Sequence, residues 1–145
     1  MMSNLIMNKI IRPVFFLLLF FFSVPAISAC LKEGDNITLI GVLKKELIYG
    51  PPNWGEDPEH DEKLYYWFIY PDKPLECVTD ASHVDADWNK SMQLDLSDND
   101  YNKYEHYLNH RVAINGSLRL AVIGNDNTPV LLTDIKDVSE KDIKK

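Results

Sequence analysis

The sequence predicts a mainly β fold, an OB-like five-stranded barrel with one short helix between strands 3 and 4, on three observations. Five segments rich in β-branched, aliphatic and aromatic residues are separated by turn residues. One segment of helical period lies between the third and fourth of them. Gly41 interrupts the first, where a strand that serves both halves of a closed sheet has to bend. A small α+β sandwich built from the same five strands is the alternative.

The first strand is expected over 36–47, with Ile37, Leu39, Leu43 and Leu47 on one alternating face. A loop over 50–63 follows. The aromatic run Leu64-Tyr-Tyr-Trp-Phe-Ile-Tyr70 forms the second strand and is stopped by Pro71-Asp-Lys-Pro74. Residues 75–78 resume an extended path that brings Cys77 near the start of the first strand, whereas 79–89 are polar and carry no assigned element. Alternation returns at 91–97, with Met92, Leu94 and Leu96 on one face of a third strand. Ser97 or Asp98 then caps a short helix bearing Tyr101, Tyr104 and Leu108 at spacings of three and four. The fourth and fifth strands are expected over 111–121 and 129–138, and 139–145 reads as a charged, frayed tail.

Ahead of these elements, Lys9 and Arg12 precede an apolar block from Val14 to Phe22, and small residues follow up to Ala29. That is the pattern of a secretory signal peptide over 1–29. Its apolar core falls short of the about 20 residues of a membrane-spanning helix, so no integral membrane segment is expected once the leader is removed. Residues 30–138 then form a single domain. Losing Lys9 and Arg12 but no acid moves the formal charge from −7 to −9. Nucleic acid, which is bound by Lys and Arg neutralising phosphates, is excluded as a partner, and anionic membranes are equally poor ones.

Cys30 and Cys77 are the only cysteines. In an exported protein they are free to form a disulfide, which across so long a loop contributes about 2 to 4 kcal/mol. Ile27-Ser-Ala-Cys30 also fits the short pattern of a bacterial lipoprotein, in which Cys30 is lipidated and Cys77 is left as an odd thiol. Even pairing favours the disulfide. The expected location is periplasmic or secreted, with anchoring through Cys30 as the alternative.

A resemblance runs through most of the mature chain. Cys30-Leu31, Thr38-Leu-Ile-Gly-Val-Leu43, Gly50-Pro-Pro-Asn53 with Trp54 after it, Asp61-Glu62, Tyr66-Trp67, Pro74 and Cys77-Val78 are similar to domain-of-unknown-function family 4431, small secreted bacterial proteins. The likeness continues through Gly116-x-Leu118 and Thr128-Pro-Val-Leu-Leu132. It implies that Cys30 and Cys77 are the family's paired cysteines, and it implies no activity. Two positions depart from the family pattern. Gly124-Asn-Asp-Asn127 stands where members tend to carry histidines, and His60 where glycine is usual. No metal or proton-transfer role is carried over to either, and 124–127 reads as a polar turn.

The 50–63 loop is the best functional candidate. Pro51 and Pro52 restrict it to a PPII-like path and hold Asn53 and Trp54 in place. An aromatic on a stiff loop is an effective binding anchor; the competing reading folds Trp54 back to plug one end of the barrel. Asn53, Trp54, Asp61, Glu62 and Tyr66 are the candidate ligand-binding residues. Glu56, Asp57, Glu59, His60, Asp61 and Glu62 match no calcium-loop template, so they read as a solvated charge run, and no metal or cofactor is expected. His60, His83, His106 and His110 form no catalytic signature. His106 and His110, four apart on the expected helix, lack the companions of a zinc site. Asp85, Asp87 and Asp95 show no pairing legible in sequence. In the second strand Tyr65 and Trp67 share one face, Tyr66 and Phe68 the other. One face is core, and the other is a candidate stacking platform.

These features favour a non-enzymatic, exported envelope module that binds a peptide, glycan or protein through the 50–63 loop. The alternatives are an envelope hydrolase or metal-dependent enzyme, and an inhibitor or immunity-type protein whose acidic surface speeds its encounter with a cationic enzyme.

Overall fold

The computed structural model describes residues 29–81 and 86–142. The expected leader, apart from Ala29, lies outside the described residues, as do His83, Asp85 and the last three residues of the tail. Five strands follow the expected order: β1 (Asn36–Tyr49), β2 (Lys63–Pro71), β3 (Met92–Leu94), β4 (Arg111–Leu120) and β5 (Val130–Glu140). One short helix, α1 (Asp98–Tyr104), lies between β3 and β4 and continues as a 3₁₀ turn over Glu105–Tyr107.

The strands close in a ring of order β1-β2-β3-β5-β4. All pairs are antiparallel except β3 with β5. Closure sets this fold apart from the sandwich alternative, and it depends on the long first strand. The front half of β1 pairs with β4 and the rear half with β2, and Gly41 is where they meet, opposite Val112 on one side and Pro71 on the other. A Cβ at this position would lie 2.1 Å from the Tyr70 carbonyl oxygen, so only glycine allows so close an approach.

Alternate residues fill the ring. Leu39 and Leu43 of β1, Trp67 and Ile69 of β2, Met92 and Leu94 of β3, Val112, Ile114 and Leu118 of β4, and Val130, Leu132 and Val138 of β5 form one buried cluster. Each fully buried aliphatic or aromatic side chain in it contributes about 1.5 to 3 kcal/mol relative to exposure. Leu47, expected on the same face, is 38% exposed, because the β1–β2 hairpin runs past the end of the barrel.

Several boundaries differ from the sequence reading, each for a local reason. β3 is three residues long, because the chain turns at Ser97 to begin α1. Ser97 is the N-cap and exchanges bonds with Asp100 in a capping box. The helix does not reach Leu108; a 3₁₀ turn intervenes and Asn109 takes a left-handed conformation, φ 64°. β5 runs on to Glu140, because Ser139 and Glu140 still pair with Ala113 and Val112.

Cys30 and Cys77 are joined in a disulfide with their Cα atoms 4.9 Å apart. Beside it Leu31 and Val78 form a parallel bridge, with Leu31 N–H donating to the Cys77 carbonyl at 3.1 Å and Thr79 N–H to the Leu31 carbonyl at 2.8 Å. The segment before β1 is thus fastened to the chain that leaves β2. A sulfur in this bond carries no lipid. Among the described residues no helix is long and apolar enough to cross a membrane.

Candidate functional site

The loop between β1 and β2 is organised around one carboxylate. Asp61 Oδ1 accepts the backbone N–H of Asn53 at 2.7 Å, and Oδ2 accepts those of Gly55 at 2.7 Å and Asp57 at 3.4 Å. The loop needs such an acceptor because its tight turns point successive N–H groups inward, where they have no strand partner. Burial alone would push the Asp61 carboxyl up, but the three backbone donors outweigh it and hold the pKa below the ordinary 3.8. Backbone bonds complete the frame: Gly50 N–H to the Glu62 carbonyl at 2.8 Å, Glu62 N–H to the Pro51 carbonyl at 3.0 Å, and Trp54 N–H to the Gly50 carbonyl at 3.0 Å.

This frame holds Trp54 outward. Its φ is 56° and that of Gly55 is 97°, so the chain reverses through two left-handed residues at the tip. Trp54 is 61% exposed, which rules out the reading in which it plugs the barrel. Trp54 and Gly55, both at positive φ, do not follow the expected PPII path. The tip is instead set by the bonds to Asp61.

The five candidate residues therefore divide. Asn53 and Trp54 are exposed at the tip, and Glu62 is exposed at the loop's end. Asp61 is buried and serves as the brace, not as a contact surface. Tyr66 lies outside the loop, half-buried on β2 opposite Glu46. Nor do Tyr66 and Phe68 form a two-ring platform, since Phe68 is 4% exposed. Farther along this face Tyr70 donates to Glu46 Oε1, and its hydroxyl is pushed up to about 12 by burial and by that carboxylate.

The ionisable residues of the loop do not converge. His60 Nδ1 lies 2.8 Å from Asp57 in an exposed pair. His106 is in the 3₁₀ turn against Tyr107, whereas His110 lies beyond it and bonds Glu140 at 2.9 Å, so the two do not share a helix face. Among the described residues no three His, Cys, Asp or Glu side chains are placed to hold a metal ion.

Sequence reasoning missed a second braced loop, between β4 and β5. Asp126 accepts two bonds from Arg119, at 2.9 and 3.0 Å, and the backbone N–H groups of Val122 and Ile123 at 2.8 and 3.1 Å. The Arg119 bond, opposed by burial, holds its pKa down at about 2. Gln93 of β3 ties the same loop down, donating to the Asn125 carbonyl and accepting from the backbone and side chain of Asn127. Val122 and Ile123 are left 75% and 62% exposed at the tip. The polar turn read at 124–127 is present, but its aspartate gave no sign of which arginine it would meet.

No protein-family model, curated protein or solved structure matches the chain. The loop geometry therefore carries the functional reading.

Proposed function

We propose that the chain is an exported, non-enzymatic binding module that engages an envelope partner, a peptide, glycan or protein, through the β1–β2 loop. The observation that carries this reading is an indole 61% exposed at the tip of a loop already fixed by its own buried carboxylate. A large aromatic ordered in advance loses little freedom on binding, which is how a small surface gains affinity. The leader pattern and the Cys30–Cys77 bond support export. Kinship with domain-of-unknown-function family 4431 belongs to the same proposal and adds no activity.

A second reading, an inhibitor or immunity-type protein, is favoured by one feature: Glu56, Glu59 and Glu62 are all exposed in the loop that carries Trp54, so a cationic partner would meet charge and indole together. The test of both is capture from envelope extract by the disulfide-bonded mature protein and by its Trp54→Ala form. Loss of one specific partner with Trp54→Ala supports binding through the loop; identical partner sets for the two proteins contradict it.

A further inference from the structure

We propose that the β4–β5 loop is a second docking surface, one that takes a segment of a basic protein in which an aliphatic or aromatic side chain neighbours Lys or Arg. It lies away from the β1–β2 loop. The last turn of β4 stands beside the start of β1, with Ser117 opposite Asn36, whereas the β1–β2 loop leaves from the other end of β1. The two surfaces share no residue, so either can fail without the other.

 The apolar part of this surface is the pair Val122 and Ile123. Both side chains stand mostly in water, yet the turn that carries them is held from within. The Asp126 side chain, only 3% exposed, accepts both of their N–H groups through Oδ2 and is itself fixed by Arg119. Ala121 N–H donates to the Pro129 carbonyl at 3.0 Å across the neck of the loop, and Gln93 fastens Asn125 and Asn127 from β3. Two aliphatic side chains on a frame already ordered gain apolar burial on association at little cost in freedom.

Beside the pair lies a cleft of ≈ 490 Å³ whose walls include Glu33, Asp80, Leu120, Val122 and Pro129. Its volume is within the about 300 to 1,000 Å³ of sites that enclose a ligand, which leaves room for more than one side chain of a partner. Leu120, Val122 and Pro129 give the cleft an apolar side, and Glu33 and Asp80 give it two carboxylates.

Charge selects the partner. Glu33 is fixed at the wall, since its Oε1 accepts the Leu120 N–H at 3.1 Å, and Asp80 is exposed. Asp126, the third carboxylate of the lining, is already paired with Arg119. No Lys, Arg or His is among the described residues that line the cleft, so the charges of Glu33 and Asp80 are not cancelled within it. A Lys or Arg of the partner meets them while its apolar neighbour covers Val122 and Ile123. The overall negative charge draws in a basic protein and repels an anionic membrane.

The test is an NMR titration of the disulfide-bonded mature protein with the end-capped peptide Arg-Leu-Arg-Leu and its uncharged counterpart Gln-Leu-Gln-Leu. The basic peptide is expected to shift resonances of Glu33, Asp80, Leu120, Val122, Ile123 and Thr128, and the uncharged one to bind at least about fivefold more weakly. Val122→Ser combined with Ile123→Ser should weaken the basic peptide at least about fivefold. Core resonances of Leu118 and Leu132 should stay in place, because the bonds to Asp126 come from the backbone. Glu33→Gln keeps an oxygen for the Leu120 N–H and should weaken binding about two- to fivefold. Trp54→Ala should leave it unchanged. Equal affinity for the two peptides, shifts centred outside the cleft, no shift at about 1 mM peptide, undiminished binding by either cleft variant, or binding lost with Trp54→Ala would overturn the proposal. So would broadening of Val122 and Ile123 that grows with protein concentration alone, which would make a second copy of the chain the occupant.

Discussion

The backbone N–H of Asn53 donates to Asp61 Oδ1 at 2.7 Å, and this bond, with its counterpart from Gly55, closes the β1–β2 loop on its own carboxylate. Asp61→Asn replaces one accepting oxygen by a donor that faces another donor. The amides of Asn53 and Gly55 are expected to exchange with solvent at least about tenfold faster, while those of Ile69 and Leu132 in the core do not change. Hydrogen exchange followed by NMR checks this.

The same bonds set a pH dependence. The Asp61 pKa lies below 3.8 in the fold, and that of Asp126 lies at about 2. A carboxyl held below its unfolded value contributes stability that is fully present above that value and lost as pH falls through the folded one. Stability is therefore expected to decline from about pH 4 towards about pH 2, and Asp126→Asn should flatten this decline. Urea midpoints measured across that range give the comparison.

At neutral pH, Asp126→Ala removes both bonds to Arg119 and frees the N–H groups of Val122 and Ile123. Arg119 keeps Asp95 at 3.3 Å. The expected loss is about 2 to 3 kcal/mol, in line with charged hydrogen bonds that leave a partner behind. Chemical denaturation measures it.

Cys77→Ser opens a loop that spans a sequence separation of 47. The chain-entropy relation gives a loss of about 4 kcal/mol. Unfolding of the variant beside the oxidised parent tests the value, and the intact mass of the parent should be two hydrogens below that of its reduced form.

Much of the ring was legible in the sequence because its strands are long and alternate. Leu39 and Leu43 point inward as their spacing requires, and Gly41 sits at the bend, whereas in β2 and β5 consecutive residues, Trp67 with Phe68 and Val130 with Leu131, are buried together and alternation does not mark the core face. The cap was legible to within one residue, Ser97 or Asp98, and the bonds with Asp100 settle it on Ser97. The ends of elements were not, because they depend on partners remote in sequence: β5 is extended by Ala113 and Val112. In the loop, composition marked the segment but could not say which carboxylate turns inward. Glu56, Glu59 and Glu62 are exposed and Asp61 is buried, a division made by backbone donors that no residue type announces.

The central claim is that the β1–β2 loop is braced from within so that Trp54 is free to bind. It is tested most directly by measuring the unfolding free energy and the partner affinity of Trp54→Ala together. Stability is expected to stay within about 0.5 kcal/mol of the parent, as for a surface truncation, with capture of the envelope partner lost. A loss of about 3 to 5 kcal/mol, the size expected for emptying a core site, or full stability with undiminished capture, would contradict it.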